Sequence, residues 1–514
     1  MAQNENQNNG SQLIIVSNRL PFEIEVKEDE PELKPGSGGL VTALAPVLKN
    51  RGGIWTGWPG GSGLDETKLH KAIVKMQDSV GFEFDPVFLT KEQVDLYYHG
   101  FSNEIIWPLF HDLQTQCNFA PEYWKAYQEV NDRFAEVLVR RGKENQFIWV
   151  HDYQLMLVGQ SLRRKGVTSK IGFFLHIPFP PLDLFMKLPW RFQVLQALLS
   201  YDLIGFQTLR DCRNFIQCVR LLKKNIHYVK GFYLCRDQDK ETRIGAFPIS
   251  IDFKEFADNA YSQQISEAAW LLHEKWTDQQ LIFSLDRLDY TKGITYRLEA
   301  IRTFLQKYPE FHKKVCFIQV IIPSRTDIPS YQQLKQQIDR LVGEINSQYT
   351  QDSWIPIYHI FRHLNQQELL AYYRTSDVAL VTPIKDGMNL VAKEYIACQI
   401  ERNGVLILSE FAGAAVQLHR GALLVHPYDV AGIAEIIHKA LTMPKEERLK
   451  RMRQLRRIVK KYDIFWWMQT FLRTAFAHDL KDFPIVKIQP PLEEYLGQEA
   501  GLHEEFKPNL PPKS

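Results

Sequence analysis

Short apolar runs rich in β-branched residues recur along the chain, with helical patterns between them. In the first half the runs are LIIVS (13–17), FIWV (147–150), IGFFLHI (171–177), DLIGFQT (202–208) and IGAFPIS (244–250). In the second half they are LIFSLD (281–286), VCFIQVII (315–322), IPIYHI (355–360), VALVTP (378–383), GVLILSE (404–410) and ALLVHP (422–427). Uninterrupted apolar runs suit strands covered on both faces, as in parallel sheets. Helical patterns over 296–307, 330–347 and 389–400 supply the crossovers. The pattern predicts an α/β protein of two doubly wound sheets joined near residue 250. Ligands of such sheets lie beyond the carboxyl ends of the strands, so two facing lobes place a site in the cleft between them.

Toward the C-terminus, PKEERLKRMRQLRRIVKKYD (444–463) reads as a basic surface helix with one apolar side. The aromatic stretch IFWWMQTFLRTAF (464–476) reads as buried. The expected organisation is a frayed segment 1–11, a first lobe 12–250 completed by a C-terminal helix 464–480, a second lobe 251–463 and a proline-rich tail 485–514. No internal sequence repeat is evident, although the two lobes can share an architecture.

Length supports two lobes, because 514 residues exceed the roughly 250–300 that one core can serve. A formal net charge of +2 gives no general argument for nucleic acid or an anionic membrane as partner. An anionic ligand must then be met by a local cluster of cations. The six cysteines form no C-x-x-C pair and most lie in apolar segments, which fits reduced thiols in a cytoplasmic protein. The N-terminus lacks the regions of a signal peptide, and no apolar run approaches the ~18 residues of a membrane span.

Candidate chemistry gathers at strand ends. LIIVS runs into Arg19, whose planar fork suits a phosphate. Gly36, Ser37, Gly38 and Gly39 open a helical pattern, where backbone N–H groups can meet an anion. Tyr97, Tyr98 and Trp107, read as part of a cleft loop, can stack on sugar rings. FIWV ends in His151–Asp152, and IGFF in Leu175–His176. No further ligand stands at zinc spacing beside these histidines. LIFSLD delivers Arg287 and then Lys292, two cations able to neutralise a diphosphate leaving group without a metal. The D-x-D at Asp237–Asp239 reads as a charged turn, not as a metal site. VCFIQVII leads to Arg325, and VALVTP to Lys385, Asp386 and Asn389 ahead of a helix carrying Glu394. Asp386 can accept sugar hydroxyl protons, and Glu394 can hold a ribose diol.

The motifs VSNRLPF, SGGLVTAL, GIWTGWPG, YYHGFSNEIIWP, WVHDYQL, IGFFLHIPFP, YDLIGFQT, RLDYTKG, PSRTD, VTPIKDGMNLVAKEY and SEFAGAA occur in order over roughly residues 12–480. Together they resemble the trehalose-6-phosphate synthases, the family 20 glycosyltransferases. The resemblance implies a GT-B architecture of two Rossmann-like lobes and transfer from UDP-glucose to glucose 6-phosphate with retention. It places Arg19, Trp58, Tyr98, Asp152 and Arg325 on the acceptor. Gly38, Gly39, Arg287, Lys292, Leu364, Leu390, Val391, Ala392, Lys393 and Glu394 fall on the donor nucleotide. His176 and Asp386 hold the donor glucose, and Trp107 and Asn389 align the anomeric centre. No metal or other cofactor is implied, and the partners are the two small substrates, with a homo-oligomer left open. Gln154 stands where a histidine is more usual, and Lys385 where an arginine is frequent. No D-x-D-x-T signature appears, so a fused phosphatase is not expected. Two other readings stay open: a glucosylglycerol-phosphate synthase using ADP-glucose and glycerol 3-phosphate, and a non-catalytic sugar-phosphate sensor.

Overall fold

The computed structural model describes residues 12–27, 30–36, 39–61, 66–141, 146–237, 240–325 and 328–477. Strands of the first half are β1 (Gln12–Arg19), β2 (Phe22–Lys27), β3 (Glu30–Pro35), β4 (Ile54–Trp58), β5 (Glu83–Pro86), β6 (Gln146–His151), β7 (Lys170–Phe174), β8 (Leu203–Phe206), β9 (Asn225–Val229), β10 (Phe232–Asp237) and β11 (Lys240–Ala246). All but the β2–β3 hairpin form a nine-stranded sheet in the order β5-β4-β1-β6-β7-β8-β11-β10-β9. It is parallel from β5 to β11 and closes with antiparallel β10 and β9. The second half contributes β12 (Gln280–Arg287), β13 (Val315–Ile322), β14 (Ile357–Phe361), β15 (Val378–Val381), β16 (Val405–Ser409) and β17 (Leu423–Val425). These form a fully parallel sheet in the order β14-β13-β12-β15-β16-β17.

The second sheet and the first six strands of the first sheet share one winding, three strands outward from β1 or β12 and then three the other way. A crevice opens where such an order reverses. Here that point lies between β1 and β6 in one lobe and between β12 and β15 in the other. β1 (QLIIVSNR) and β12 (QLIFSLDR) correspond closely, with six consecutive buried residues and an exposed arginine at the carboxyl end. Helices on both faces explain the buried run, and the abrupt exposure of Arg19 and Arg287 marks the cleft.

The chain crosses between sheets through 247–252, then returns. Helix Ile464–Phe476 lies on the first sheet, with Phe471 stacked at 4.4 Å and Trp467 at 4.8 Å on Trp149. Trp467 Nε1 donates to the Phe247 carbonyl at 3.0 Å. The basic helix Lys445–Lys461 buries Met452, Leu455 and Val459 and leaves most of its charges in water. All six cysteines are free thiols, five of them buried. Among the described residues, no helix is long and apolar enough to cross a membrane. Gln238 and Asp239 of the D-x-D lie outside the described residues.

Candidate active site

Both lobes bring their strand ends to the cleft. In the first lobe the guanidinium of Arg19 lies over the Trp58 ring at 4.7 Å. Among the described residues no carboxylate pairs with it, so the plain salt bridge that would explain an exposed arginine is missing. Gly60, at φ +90°, makes room: a Cβ there would sit 2.5 Å from the Arg19 guanidinium. The Trp58 ring is 6.2 Å from that of Tyr98.

The aromatic segment read as a loop is helical. Val94–Ile106 forms thirteen residues of π-helix, a rare form that gathers at functional sites. Its wide turn puts Tyr97 and Tyr98 on different partners. Tyr97 is fully buried and donates to Asn18 Oδ1 at 2.9 Å, which removes it from the cleft. Tyr98 stays half-buried, held by Asn103 Nδ2 donating to its carbonyl at 2.7 Å. Burial raises the Tyr98 hydroxyl pKa, yet the guanidinium groups of Arg325, Arg19 and Arg287 outweigh burial and lower it. Cations of both lobes thus act electrostatically on one phenol.

Arg325 reaches across from the second lobe. It donates to Tyr331 Oη at 2.5 Å and to Tyr153 Oη of the first lobe at 3.4 Å. Asp289 stands 3.6 Å away, and the guanidinium lies 4.7 Å from the Trp107 ring centre. Among the described residues Trp107 Nε1 is buried without a partner, a donor left for a ligand.

Asp152 sits just past β6 at φ +75°, a strained setting for a non-glycine residue. Its Oδ1 accepts from the His176 N–H at 3.2 Å. Burial pushes its pKa up to about 7, against the pull of backbone donors and of Arg287 and Arg325. His151 Nδ1 and His176 Nε2 share a hydrogen bond at 3.0 Å. Burial drives both imidazoles down, His176 to about 3, so this is a neutral pair.

In the second lobe Lys292 Nζ donates to Asp386 Oδ2 at 2.5 Å. Asn389 Nδ2 also donates to that oxygen, at 3.3 Å, while its own Oδ1 caps the helix Leu390–Cys398 by accepting from Ala392 N. Burial raises the Asp386 pKa, but Lys292 foremost brings it below the ordinary value, so the carboxylate is charged. Beneath the pair, the buried Arg297 binds Asp286 at 2.6 Å and fixes the end of β12. Gly387 meets the first lobe: a Cβ there would stand 2.0 Å from the His176 carbonyl oxygen. Any side chain at Gly387 would wedge the lobes apart.

Of the donor-side residues, Leu390 and Val391 are half-buried at the helix start and Ala392 is buried. Glu394 accepts from Tyr373 Oη at 2.8 Å, and burial raises its pKa. Lys393 is buried. Its ammonium turns from the cleft to donate to the Ile249 carbonyl and to Gln417 Oε1, both at 2.7 Å. Only its main chain can serve a ligand in the cleft, since the helical rotation points the side chain at the inter-lobe crossing. Leu364 is half-buried and packs on the core, consistent with a main-chain role. Gly39 begins the helix Gly39–Arg51, and Gly38 lies outside the described residues. Asp289, Tyr331, Tyr153 and His111 went unread as site residues; Asp289 lay inside the motif RLDYTKG and Tyr153 inside WVHDYQL, while Tyr331 and His111 lay in none.

Among the described residues, no group of three His, Cys, Asp or Glu side chains could hold a metal ion. Both lobes thus present cations beyond their strand ends, Arg19 on Trp58 in the first and Arg325 and the Lys292–Asp386 pair in the second.

Residues 11–476 match glycosyltransferase family 20. The chain is 39% identical over 479 residues to alpha,alpha-trehalose-phosphate synthase [UDP-forming] A of Dictyostelium discoideum, covering 91% of this chain and 64% of that protein. It superposes with TM-score 0.82 and 34% identity on the crystal structure of an alpha,alpha-trehalose-phosphate synthase (UDP-forming) from Burkholderia xenovorans in complex with glucose-6-phosphate. That match covers 91% of this chain and 100% of the other. An E. coli structure bound with UDP-2-fluoro glucose matches with TM-score 0.80 at 36% identity, covering 90% of this chain and 99% of that one. The likeness runs through both lobes, so the fold is GT-B, and the chain belongs to glycosyltransferase family 20.

Proposed function

We propose that the protein transfers glucose from UDP-glucose to glucose 6-phosphate with retention, giving trehalose 6-phosphate and UDP. One observation carries this reading: Arg19 of the first lobe lies over Trp58 beside Tyr98, and Arg325 of the second lobe reaches across to Trp107 and Tyr153. A hexose phosphate fits that pocket, its phosphate among the guanidinium groups and its ring against Trp58 and Trp107. In this reading the lobe of β1–β11, with the helix Ile464–Phe476, receives the acceptor and the lobe of β12–β17 the donor. The chain works in the cytoplasm on small molecules alone. Purified protein incubated with each pairing of UDP-, ADP- or GDP-glucose with glucose 6-phosphate or glycerol 3-phosphate tests it. Mass spectrometry should find a disaccharide phosphate with UDP-glucose and glucose 6-phosphate. A dominant glucosylglycerol phosphate, or no product with any pair, would replace the reading.

The carboxylates argue for front-face transfer. Asp386 is held by Lys292 and Asn389, Glu394 by Tyr373, and Asp152 by the His176 N–H. Each carboxylate thus has another role in this reading, and none is assigned as nucleophile. The acceptor oxygen instead bonds to that carbon on the face from which the diphosphate departs, and the leaving phosphate oxygen takes the acceptor's hydroxyl proton. Arg287, Lys292 and the helix start at Asn389 stabilise the departing charge. Positioning of the acceptor does the rest. Intact-protein mass spectrometry after incubation with a slow 2-fluoro donor should therefore show unmodified protein. A glucosyl adduct on Asp152, Asp386 or Glu394 would make that residue a nucleophile.

Asp152 predicts a pH dependence. Its raised pKa, about 7, means that it protonates as pH falls through neutrality and loses acceptor strength toward sugar hydroxyls. The acceptor KM should rise as pH falls from 8 to 6, and Asp152→Asn should abolish that part of the slope. The acceptor phosphate's own ionisation near pH ~6 affects both proteins alike, so the difference between profiles isolates Asp152. For stability the sign is opposite. A raised carboxyl pKa opposes the folded state as pH rises from the unfolded value toward about 7, so Asp152→Asn should lessen the loss of thermal stability over that window.

A further inference from the structure

Lys385 Nζ lies 2.7 Å from both carboxylate oxygens of Asp112. One residue belongs to the second lobe and the other to the first, so the pair crosses the cleft. Both ends connect directly to the site. Lys385 precedes Asp386, whose Oδ2 accepts from Lys292. Asp112 closes the turn after helix Trp107–Phe110, at φ +64°, a backbone setting that aspartate tolerates. Next to it, the buried His111 ring nitrogen Nδ1 bonds the Trp107 carbonyl at 2.7 Å. Trp107 in turn supports the guanidinium of Arg325. Lys385 is largely covered and Asp112 half exposed, 13% and 45%. Arg210 and Asp211, also from the first lobe, face Lys385 with opposite charges.

We propose that the Lys385–Asp112 pair is a latch that holds the lobes closed and sets the Asp386 turn against the Trp107 turn; in its catalytic consequence this rests on the transfer reaction proposed above. Neither side chain touches the reacting atoms in this account, so both are positioning residues. Closure excludes water from the anomeric carbon and completes the acceptor pocket. A weaker latch lowers the closed fraction, and apparent affinity falls by that fraction. Because Asp112 is half exposed, the loss is modest.

The test compares Asp112→Asn, Lys385→Met, Lys385→Arg and the swap Asp112→Lys with Lys385→Asp. In each single neutral variant, kcat/KM should fall about two- to fivefold, with KM rising for both substrates. UDP-glucose hydrolysis should rise relative to transfer. Lys385→Arg should stay near wild type, since its fork also spans both carboxylate oxygens. The swap should regain most of the loss. Neutral variants with wild-type KM values and an unchanged hydrolysis-to-transfer ratio would overturn the latch, as would a swap no better than the neutral variants. Small-angle scattering with UDP and glucose 6-phosphate present reads closure without catalysis. Neutral variants should be less compact than wild type, and equal compaction would also overturn it. A wild-type protein that makes no disaccharide phosphate removes the transfer reading, while the scattering comparison still decides the latch.

Discussion

Replacing Lys292 by alanine should lower kcat about 10²–10³-fold, the loss expected when one preorganised donor to a developing anion is removed. Two effects combine. The departing diphosphate loses a cation, and Asp386 loses the ammonium 2.5 Å from its carboxylate. Among the described residues, Asn389 is then the side chain still donating to that carboxylate. Breaking one side of such a pair is more damaging than never having built it. Lys292 is also the main reason the Asp386 pKa lies below its ordinary value. In Lys292→Ala it should rise, and the residual rate should fall more steeply toward acid pH than in wild type. Lys292→Arg should recover only part, because a planar fork does not substitute for a compact charge. Wild-type activity should meanwhile survive EDTA, since the proposed neutralising charges are Arg287 and Lys292. Loss of activity in EDTA restored by Mg²⁺, or a kcat in Lys292→Ala within a few fold of wild type, would sink the leaving-group role.

The reading of the sequence reached the parts of the fold that local pattern controls. β1, β6, β7, β12 and β13 are covered on both faces, so each appears as a continuous apolar run. β9, NIHYV, is an exposed edge strand with no such run, and it went unread together with its partner β10. β5 has four residues and one buried side chain, too little for a period. The π-helix at 94–106 defeated pattern reading because its turn differs from 3.6 residues and Gly100 interrupts it. Site residues at strand ends were legible, because a cation following a buried run has few other reasons to be there. Lys393 was not, since the direction of its ammonium depends on the inter-lobe crossing at Ile249, 144 residues earlier in the chain. The contacts of Gly387 with His176 and of Lys385 with Asp112 likewise exist only once both lobes are built.

Arg19→Ala should raise the acceptor KM about 10–150-fold, the equivalent of ~1.5–3 kcal/mol for one charge-assisted contact. Donor affinity, measured by titration with UDP alone, should be unchanged, because the second lobe's donor-side elements are untouched. Arg19 makes no ion pair among the described residues, so its removal breaks no protein salt bridge. Folding should suffer little: the side chain is exposed, and its contacts are the Trp58 face and the space left by Gly60. Arg287 and Arg325 remain to draw a phosphate to Tyr98, which keeps the loss within this range and short of abolition. The same geometry predicts that a side chain at Gly60 acts through Arg19. Gly60→Ala meets the guanidinium at 2.5 Å and adopts an unfavourable φ of +90°, so it should raise the acceptor KM in the same direction. Combined with Arg19→Ala it should add little, since the group it displaces is already gone. Unchanged acceptor kinetics in Arg19→Ala would leave this arginine a surface cation resting on a tryptophan, and the phosphate pocket would have to be rebuilt around Arg287 and Arg325 alone.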